Sequence, residues 1–432
     1  MTTISRALIL FVTLLGAGGV AAADQIDRRL LGVSPSSDAF FDDTVLHEVR
    51  LSINARDWQA LKDDFLGNTY YPCDFRWRDQ VVRNIGIRSR GTGSRSGVKP
   101  GLRVDFDRYT SGMRFLGLKS FVLRNNTQDP SNLHERLTML LFRKMGIPAP
   151  RQAHAKFYVN NEYAGLYTLV ESIDKGFLQR VYGEDNGYLY DYDYPVDAQP
   201  YYFEDRGNDP SRYVPLPFKP ETHEDNPRPE FIVDLVRAIN QSSTSSFPQT
   251  IAEFMEMDTF LRYVAVETFV TELDGFIGDV GMNNFFLHRF DNRRLFTLIP
   301  WDKSEAFKGT IERSIFKNML DVPSPIQNRL MSRALAQPDL VNLYLDFLLE
   351  CARLASEPDA GGGGWLTAEV EREYQQIRAA ALEDPVKPYS NAEFEAGVET
   401  LRIFGRDRAA AVMQQVLDAR AAMALARRGR VR

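Results

Sequence analysis

The sequence predicts an α+β protein in two parts: a strand-rich N-terminal part over residues 24–170 and a mostly helical C-terminal part over residues 171–432. Three observations carry this. Between residues 45 and 170, apolar and polar residues alternate with the period of half-buried strands. Beyond residue 171, and above all after 325, apolar residues recur at helical spacing. One stretch inside the helical part breaks that pattern: "LDGFIGDVGMNNFFLHRFDNRRLFTLIPWDKSEAF", residues 273–307.

The elements follow in order. Residues 1–23 carry Arg6, an apolar run from Ala7 to Leu15 and then Ala21-Ala22-Ala23, the pattern of a secretory leader cleaved before Asp24. The run is too short to span a bilayer, and no later segment is apolar for long enough. The mature chain is therefore expected to be exported (periplasmic, cell-envelope or extracellular) with no transmembrane span. Val45–Ile53 alternates and predicts a strand, and Asp57–Asp64 a short helix. Strands are expected at Val81–Arg90, Arg103–Phe106 and Ser120–Leu123. Ser131 is placed to cap a helix from Asn132 to Met145, ended by Gly146 and two prolines. Ala155–Val159, Asn160-Asn161 and Tyr163–Glu171 predict a hairpin, and Asp174–Val181 a short helix. Residues 193–228 lack a period and are expected to form a long loop. Asp258 is placed to cap a helix running to Glu272.

Composition narrows the function. Lys+Arg 52 against Asp+Glu 58 gives a net charge of −6, without the basic footprint of a nucleic-acid binder. Two cysteines, Cys73 and Cys351, exclude a disulfide framework and a cysteine-rich zinc site, and are expected to be unpaired or buried thiols. The 5 histidines show no metal-ligating spacing, and there is neither a Walker loop nor a Gly-x-Ser-x-Gly elbow.

The stretch 273–307 holds Asp274, Asp279, Asn283 and Asn284 in a glycine-broken segment, then two apolar runs, the second ending on Pro300-Trp301-Asp302. Asp279 and Asn284 have the D-x-x-x-x-N spacing of a kinase catalytic loop, in which the Asp accepts the substrate hydroxyl proton and the Asn holds a metal ion. Asp302, after the following hairpin, stands where a second metal-binding Asp is needed. Turn formation alone also explains Asp and Asn here.

Longer stretches sharpen the choice. "VVRNIGIRSRGTGSRSGVKPGLRVDFD" is similar to the loop "R-x-R-G-N-S-S-R" and strand "K-K-S-x-R-x-x-F" of the CotH kinase family, the atypical kinases named for spore coat protein H. "FVLRNNTQDPSNLHERLTMLLFRKMGIPAPRQAHAKFYVNNEYAGLYTLVESID" resembles that family's helix, its "G-x-P-x-P" and its "V-N-G-x-Y-x-G-L-Y-x-L-x-E" hairpin. "DGFIGDVGMNNFFLH" and "IPWD" resemble its catalytic loop and metal strand. The likeness spans roughly residues 45–310 in order.

This resemblance implies a two-lobed protein-kinase-like fold and an exported atypical kinase. ATP and Mg²⁺ (or Mn²⁺) are the implied cofactors, with a protein hydroxyl as acceptor. Asp279 would be the general base, and Asn284 and Asp302 the metal ligands. Lys99, matching the first Lys of "K-K-S", would meet the phosphates, with Arg103 as its runner-up. Arg88, Arg90 and Arg95 would flank the triphosphate. Glu135 would pair with Lys99, and Glu171 would sit at the hinge of the nucleotide site. The chain departs from the pattern at Pro100, where the second Lys stands, and at His288, where Tyr is usual. It departs again at Ser304, where "P-W-D-x-D" has a second Asp, unless Glu305 reaches in. Those departures sustain the alternative of a catalytically inactive binding protein, a pseudokinase.

Overall fold

The computed structural model describes residues 36–193, 201–319, 328–358 and 363–430. The leader expected at 1–23 lies outside these residues. Helices and sheets are both present, so the chain is α+β. A single helical turn, Ser37–Phe40, precedes β1 (His47–Ile53), α1 (Ala55–Asp63), β2 (Tyr71–Trp77), β3 (Gln80–Ser89), β4 (Leu102–Asp105) and β5 (Ser120–Arg124). Then come α2 (His134–Lys144), β6 (Gln152–Val159) and β7 (Glu162–Glu171).

These seven strands close into a barrel in the order β1-β2-β3-β4-β5-β7-β6. Closure needs β6 to run parallel to β1, with His47 opposite Ala155 and Leu51 opposite Val159. The alternation along β1 explains which side is inside: Val49, Leu51 and Ile53 are buried while Glu48 and Ser52 are exposed. Aromatic side chains fill the interior. Phe40 lies edge-on to Phe75, Trp77, Phe115 and Phe121, at 5.1–6.2 Å between ring centroids. The β6–β7 turn is formed by Asn160 and Asn161 at φ 51° and 70°, the left-handed pair that a tight hairpin demands. β5 differs from β1, because all five of its residues are buried. Phe121 and Leu123 face the barrel core, so Val122 and Arg124 are covered from outside.

What covers them begins with α3 (Lys175–Tyr182), whose first N–H groups are capped by Asp174. A second, four-stranded sheet has the order β11-β10-β8-β9, from β8 (Tyr188–Tyr192), β9 (Phe218–Pro220), β10 (Phe285–Arg289) and β11 (Phe296–Pro300). The region expected to be a loop thus contributes the edge strand β9. Helices α4 (Glu230–Gln241), α5 (Phe247–Ala252) and α6 (Met257–Phe269) share one large apolar core with α7 (Arg329–Leu335), α8 (Pro338–Ser356), α9 (Trp365–Glu383) and α10 (Asn391–Arg430). A small cluster joins barrel to sheet: Val122, Val170 and Ile173 with Phe286, Ile299 and Trp301.

Two capping expectations change. At α2, Asp129 takes the His134 N–H at 2.8 Å, and also the Ser131 N–H and hydroxyl at 2.8 and 2.6 Å. Ser131 is held by the cap and does not form it. At α6 the cap position is Glu256, and Asp258 lies in the first turn, where a carboxylate still favours the helix dipole. Cys73 and Cys351 are both buried and unpaired, and burial pushes the Cys73 thiol up to about 12. Among the described residues no helix is long and apolar enough to cross a membrane.

Candidate active site

The loop after α6 is built on Glu267. Its carboxylate accepts from the Tyr263 hydroxyl at 3.0 Å, the Phe276 N–H at 3.1 Å and the Lys303 ammonium at 2.7 Å. Lys303 and Glu267 are both fully buried, and Lys303 also donates to the Asn284 carbonyl at 2.8 Å. Gly275 is required here, since a Cβ would lie 2.7 Å from the Glu267 carboxylate and from Glu272. The loop then turns back on itself: Asp279 N–H bonds the Leu273 carbonyl at 2.7 Å and Asn283 N–H the Gly275 carbonyl at 3.0 Å.

This turn brings Asp274, rather than Asp279, to the asparagines. Asn283 Nδ2 donates to one Asp274 carboxylate oxygen at 3.0 Å, and Asn284 Nδ2 to the other at 2.9 Å and to the Asp274 carbonyl at 2.8 Å. Burial raises the Asp274 pKa, the Asn283 hydrogen bond opposes the shift, and nearby Asp302 adds to it. Asp279 is bound instead by Arg313 at 3.1 Å and Asn318 at 2.7 Å. Burial works to raise its pKa, but these hydrogen bonds and the Arg313 charge outweigh it and hold the carboxyl low. The five-residue spacing therefore selects a carboxylate that the folded loop turns toward Arg313.

Asp302 follows β11 beside Asn284, whose carbonyl accepts the Trp301 N–H at 3.2 Å. Asn284 and Asp302 both adopt left-handed backbone, φ 56° and 45°, a cost that tertiary contacts must offset. Arg124 Nη1 bonds Asp302 Oδ1 at 2.7 Å, while Arg124 Nε is paired with Glu135 of α2. Burial opposes the charge on Arg124, but Asp302 and Glu135 outweigh it and raise its pKa. Glu135 is pushed up to about 7 by burial, against the pull of Arg124. The partner expected for Glu135 was Lys99; the structure supplies Arg124. The signal was an Arg closing the apolar run Phe121–Leu123 on the face shared with Val122.

Lys99 is engaged elsewhere. Its ammonium bonds Asp384, just past α9, at 2.7 Å, with both side chains almost fully buried. Asp384 also accepts the Leu166 N–H at 3.0 Å, and Gly165, at φ 115°, leaves room for it. Lys99→Met should cost roughly 1–3 kcal/mol in urea unfolding, because Asp384 loses its cation but keeps backbone donors. An unchanged unfolding midpoint would contradict this role.

The arginines divide. Arg95 donates to the carbonyls of Gly91, Leu66 and Gly67 at 2.6, 2.7 and 2.8 Å, and so ties its loop to residues 65–68. Arg88 bonds Asn68 at 2.9 Å. Arg103 lies opposite Arg88 and Val122 in register, with Asp105 at 3.9 Å and its Nε buried without a hydrogen bond. Arg90 sits over the Trp301 ring at 4.7 Å. Among the described residues its guanidinium has no hydrogen-bond or ion-pair partner; burial and then Arg124 lower its pKa to about 10. Arg90, Arg103 and Arg124 thus stand on one face of the barrel wall. Like charges set side by side on a sheet repel, and at Arg124 the carboxylates of Glu135 and Asp302 offset that repulsion. Glu171 is not in that group: it clamps Arg151 at 2.7 Å and Arg180 at 2.9 Å.

Asn284 Oδ1 and Asp302 Oδ2 accept no hydrogen bond among the described residues. One carboxylate and one amide oxygen, beside the Arg90 and Arg124 face, are hard oxygen donors of the kind Mg²⁺ takes, an ion that completes its shell with water or other oxygens. Ser304, in the place of the second Asp, donates to Asp302 at 3.1 Å, and Glu305 is held by Lys308 at 2.6 Å.

The model of the CotH kinase protein family matches residues 87–412, and the chain belongs to that family. Among its relatives is the inner spore coat protein H of Bacillus subtilis, 24% identical over 351 residues, covering 80% of this chain and 91% of the relative. Spore coat protein homolog 1 of Rhizopus delemar is 22% identical over 184 residues, which is 41% of this chain and 29% of that protein. The crystal structure of the Helicobacter pylori proinflammatory kinase CtkA aligns over 73% of this chain and 94% of its own, at 10% identity. Its TM-score is 0.29, a likeness too slight to carry an argument.

Proposed function

We propose that the cleft between the barrel and the second sheet is the nucleotide site of a two-lobed, kinase-like enzyme. In this reading it transfers the γ-phosphoryl group of ATP to a protein hydroxyl. The observation that supports it most is Arg124, joined at once to Glu135 of α2 and to Asp302, opposite the Asp274–Asn284 clip. Kinases need a cation tied to a helix Glu beside a metal-binding Asp, and here Arg124 takes the part for which Lys99 was expected. Arg90 and Arg124 hold phosphate oxygens with their forked N–H donors, and Arg103 adds charge to the same wall. Asn284 and Asp302 would hold Mg²⁺ or Mn²⁺, which neutralises charge on the transferring group. Asp274 accepts the proton of the acceptor hydroxyl. Asn283 and Asn284 orient its carboxylate for that task. We place the reaction outside the cytoplasm, on the strength of the leader read in residues 1–23.

Ser304 in place of a second carboxylate favours the reading as a binding protein without transfer. Incubation of the chain with γ-labelled ATP, Mg²⁺ or Mn²⁺ and a mixed protein acceptor decides between them. The account expects metal-dependent label on protein; nucleotide binding with no transfer would leave the binding protein standing.

A further inference from the structure

The cleft floor carries a second carboxylate that the reaction above does not use. Asp191 on β8 lies opposite Phe286 of β10, and paired residues project from the same face of a sheet. That face turns toward the barrel: Phe286 packs edge-on against Trp301 at 5.7 Å, and both belong to the small cluster with Val122 and Val170 from the barrel. Asp191 is half-buried, and among the described residues no hydrogen bond or ion pair reaches it. Its charged neighbours are Arg90 from the barrel, Lys219 on β9, Glu221 just past β9, and Asp193 just past β8. Lys219, opposite Asp191 in register, spends its ammonium on Glu221 at 2.6 Å. Burial and Glu221 push the Asp191 carboxyl up to about 7. A partly buried carboxylate without protein donors keeps both oxygens open to the hydroxyls of a ligand.

Asp191 is two strands away from β11, roughly 10 Å across the sheet, and Asp302 follows β11. Phosphates on Arg90 and Arg124 would leave a nucleoside lying across β10, with its base over the apolar floor and its sugar at the Asp191 rim. We propose that Asp191 reads the ribose, its two oxygens accepting hydrogen bonds from the 2′- and 3′-hydroxyls of a bound nucleoside triphosphate. Carboxylates make the same contact to ribose in dinucleotide-binding folds. The inference rests on the cleft being a nucleotide site. It adds that the sugar is selected, because a nucleotide lacking those hydroxyls leaves the carboxylate covered and unpaired.

Calorimetric titration of the full chain with Mg–ATP and with Mg–2′,3′-dideoxy-ATP tests this. The wild type should bind the dideoxy nucleotide about 10–100-fold more weakly, the size expected of hydrogen bonds to a charged acceptor. Asp191→Ala should bind both alike, and Asp191→Asn, which keeps the shape, should narrow the gap even if the alanine variant folds poorly. Equal binding of the two nucleotides by the wild type overturns the ribose contact and leaves the nucleotide site intact. A variant that keeps the wild-type gap overturns it too. A wild type that binds neither nucleotide overturns the nucleotide site, and this inference with it.

Discussion

Arg124→Met should destabilise the fold by about 3–5 kcal/mol, the cost of leaving buried charges uncompensated. Arg124 is nearly buried and separates Glu135 from Asp302. Without it, two carboxylates face each other where burial already penalises their charge. The charge must then be expelled by protonation or met by water, and either route loosens the contact between α2 and the loop after β11. The double variant Arg124→Met, Glu135→Gln should recover part of the loss, because one of the two stranded charges is gone. Urea unfolding of the wild type, the single and the double variant measures both terms. A loss below about 1 kcal/mol, the scale of an exposed ion pair, would show that Arg124 does not hold the two halves of the site together.

Asp274→Ala should lower phosphoryl transfer by about 10²–10⁴-fold, the contribution of a general base, while Asp279→Ala changes it far less. The two residues are five apart on one loop, so the pair is its own control. Asp274 is gripped by Asn283 and Asn284 and lies near Asp302, whereas Asp279 is bound by Arg313 and Asn318. Nucleotide affinity should survive Asp274→Ala, since the base meets the acceptor and not the nucleotide. Label transfer with saturating nucleotide measures the effect on turnover. A larger loss in Asp279→Ala than in Asp274→Ala would reverse the assignment.

Local chemistry was legible in the sequence and long-range pairing was not. Alternation placed β1 and β3, and Asn160-Asn161 marked its hairpin, because each depends on neighbours a few residues away. Closure of the barrel depends on β1 meeting β6 in parallel, a pairing of His47 with Ala155 that no local pattern encodes. The site behaves the same way. Asn284 and Asp302 were singled out because a loop and a strand end present them locally, and the structure sets them side by side. Lys99 was expected in the cleft, and its buried partner Asp384 comes from far along the chain. Asp279 was favoured by spacing, but Gly275 and the hydrogen bonds to Leu273 and Gly275 fold the loop so that Asp274 meets Asn283 and Asn284. Arg90 and Arg124 required the register of β3–β5 before they could be seen as one wall.

The most direct test of the account is the melting temperature of the wild type and of Asp302→Ala with ATP, each with Mg²⁺ and with chelator. A ligand that binds the native state stabilises it, by about 2.7 kcal/mol at a hundredfold excess over Kd. The account predicts that ATP raises the wild-type melting temperature with Mg²⁺ and much less without it, and that Asp302→Ala loses the metal-dependent part. A wild type whose melting temperature ignores ATP with and without metal, or an Asp302→Ala variant that keeps the full metal-dependent shift, would contradict it.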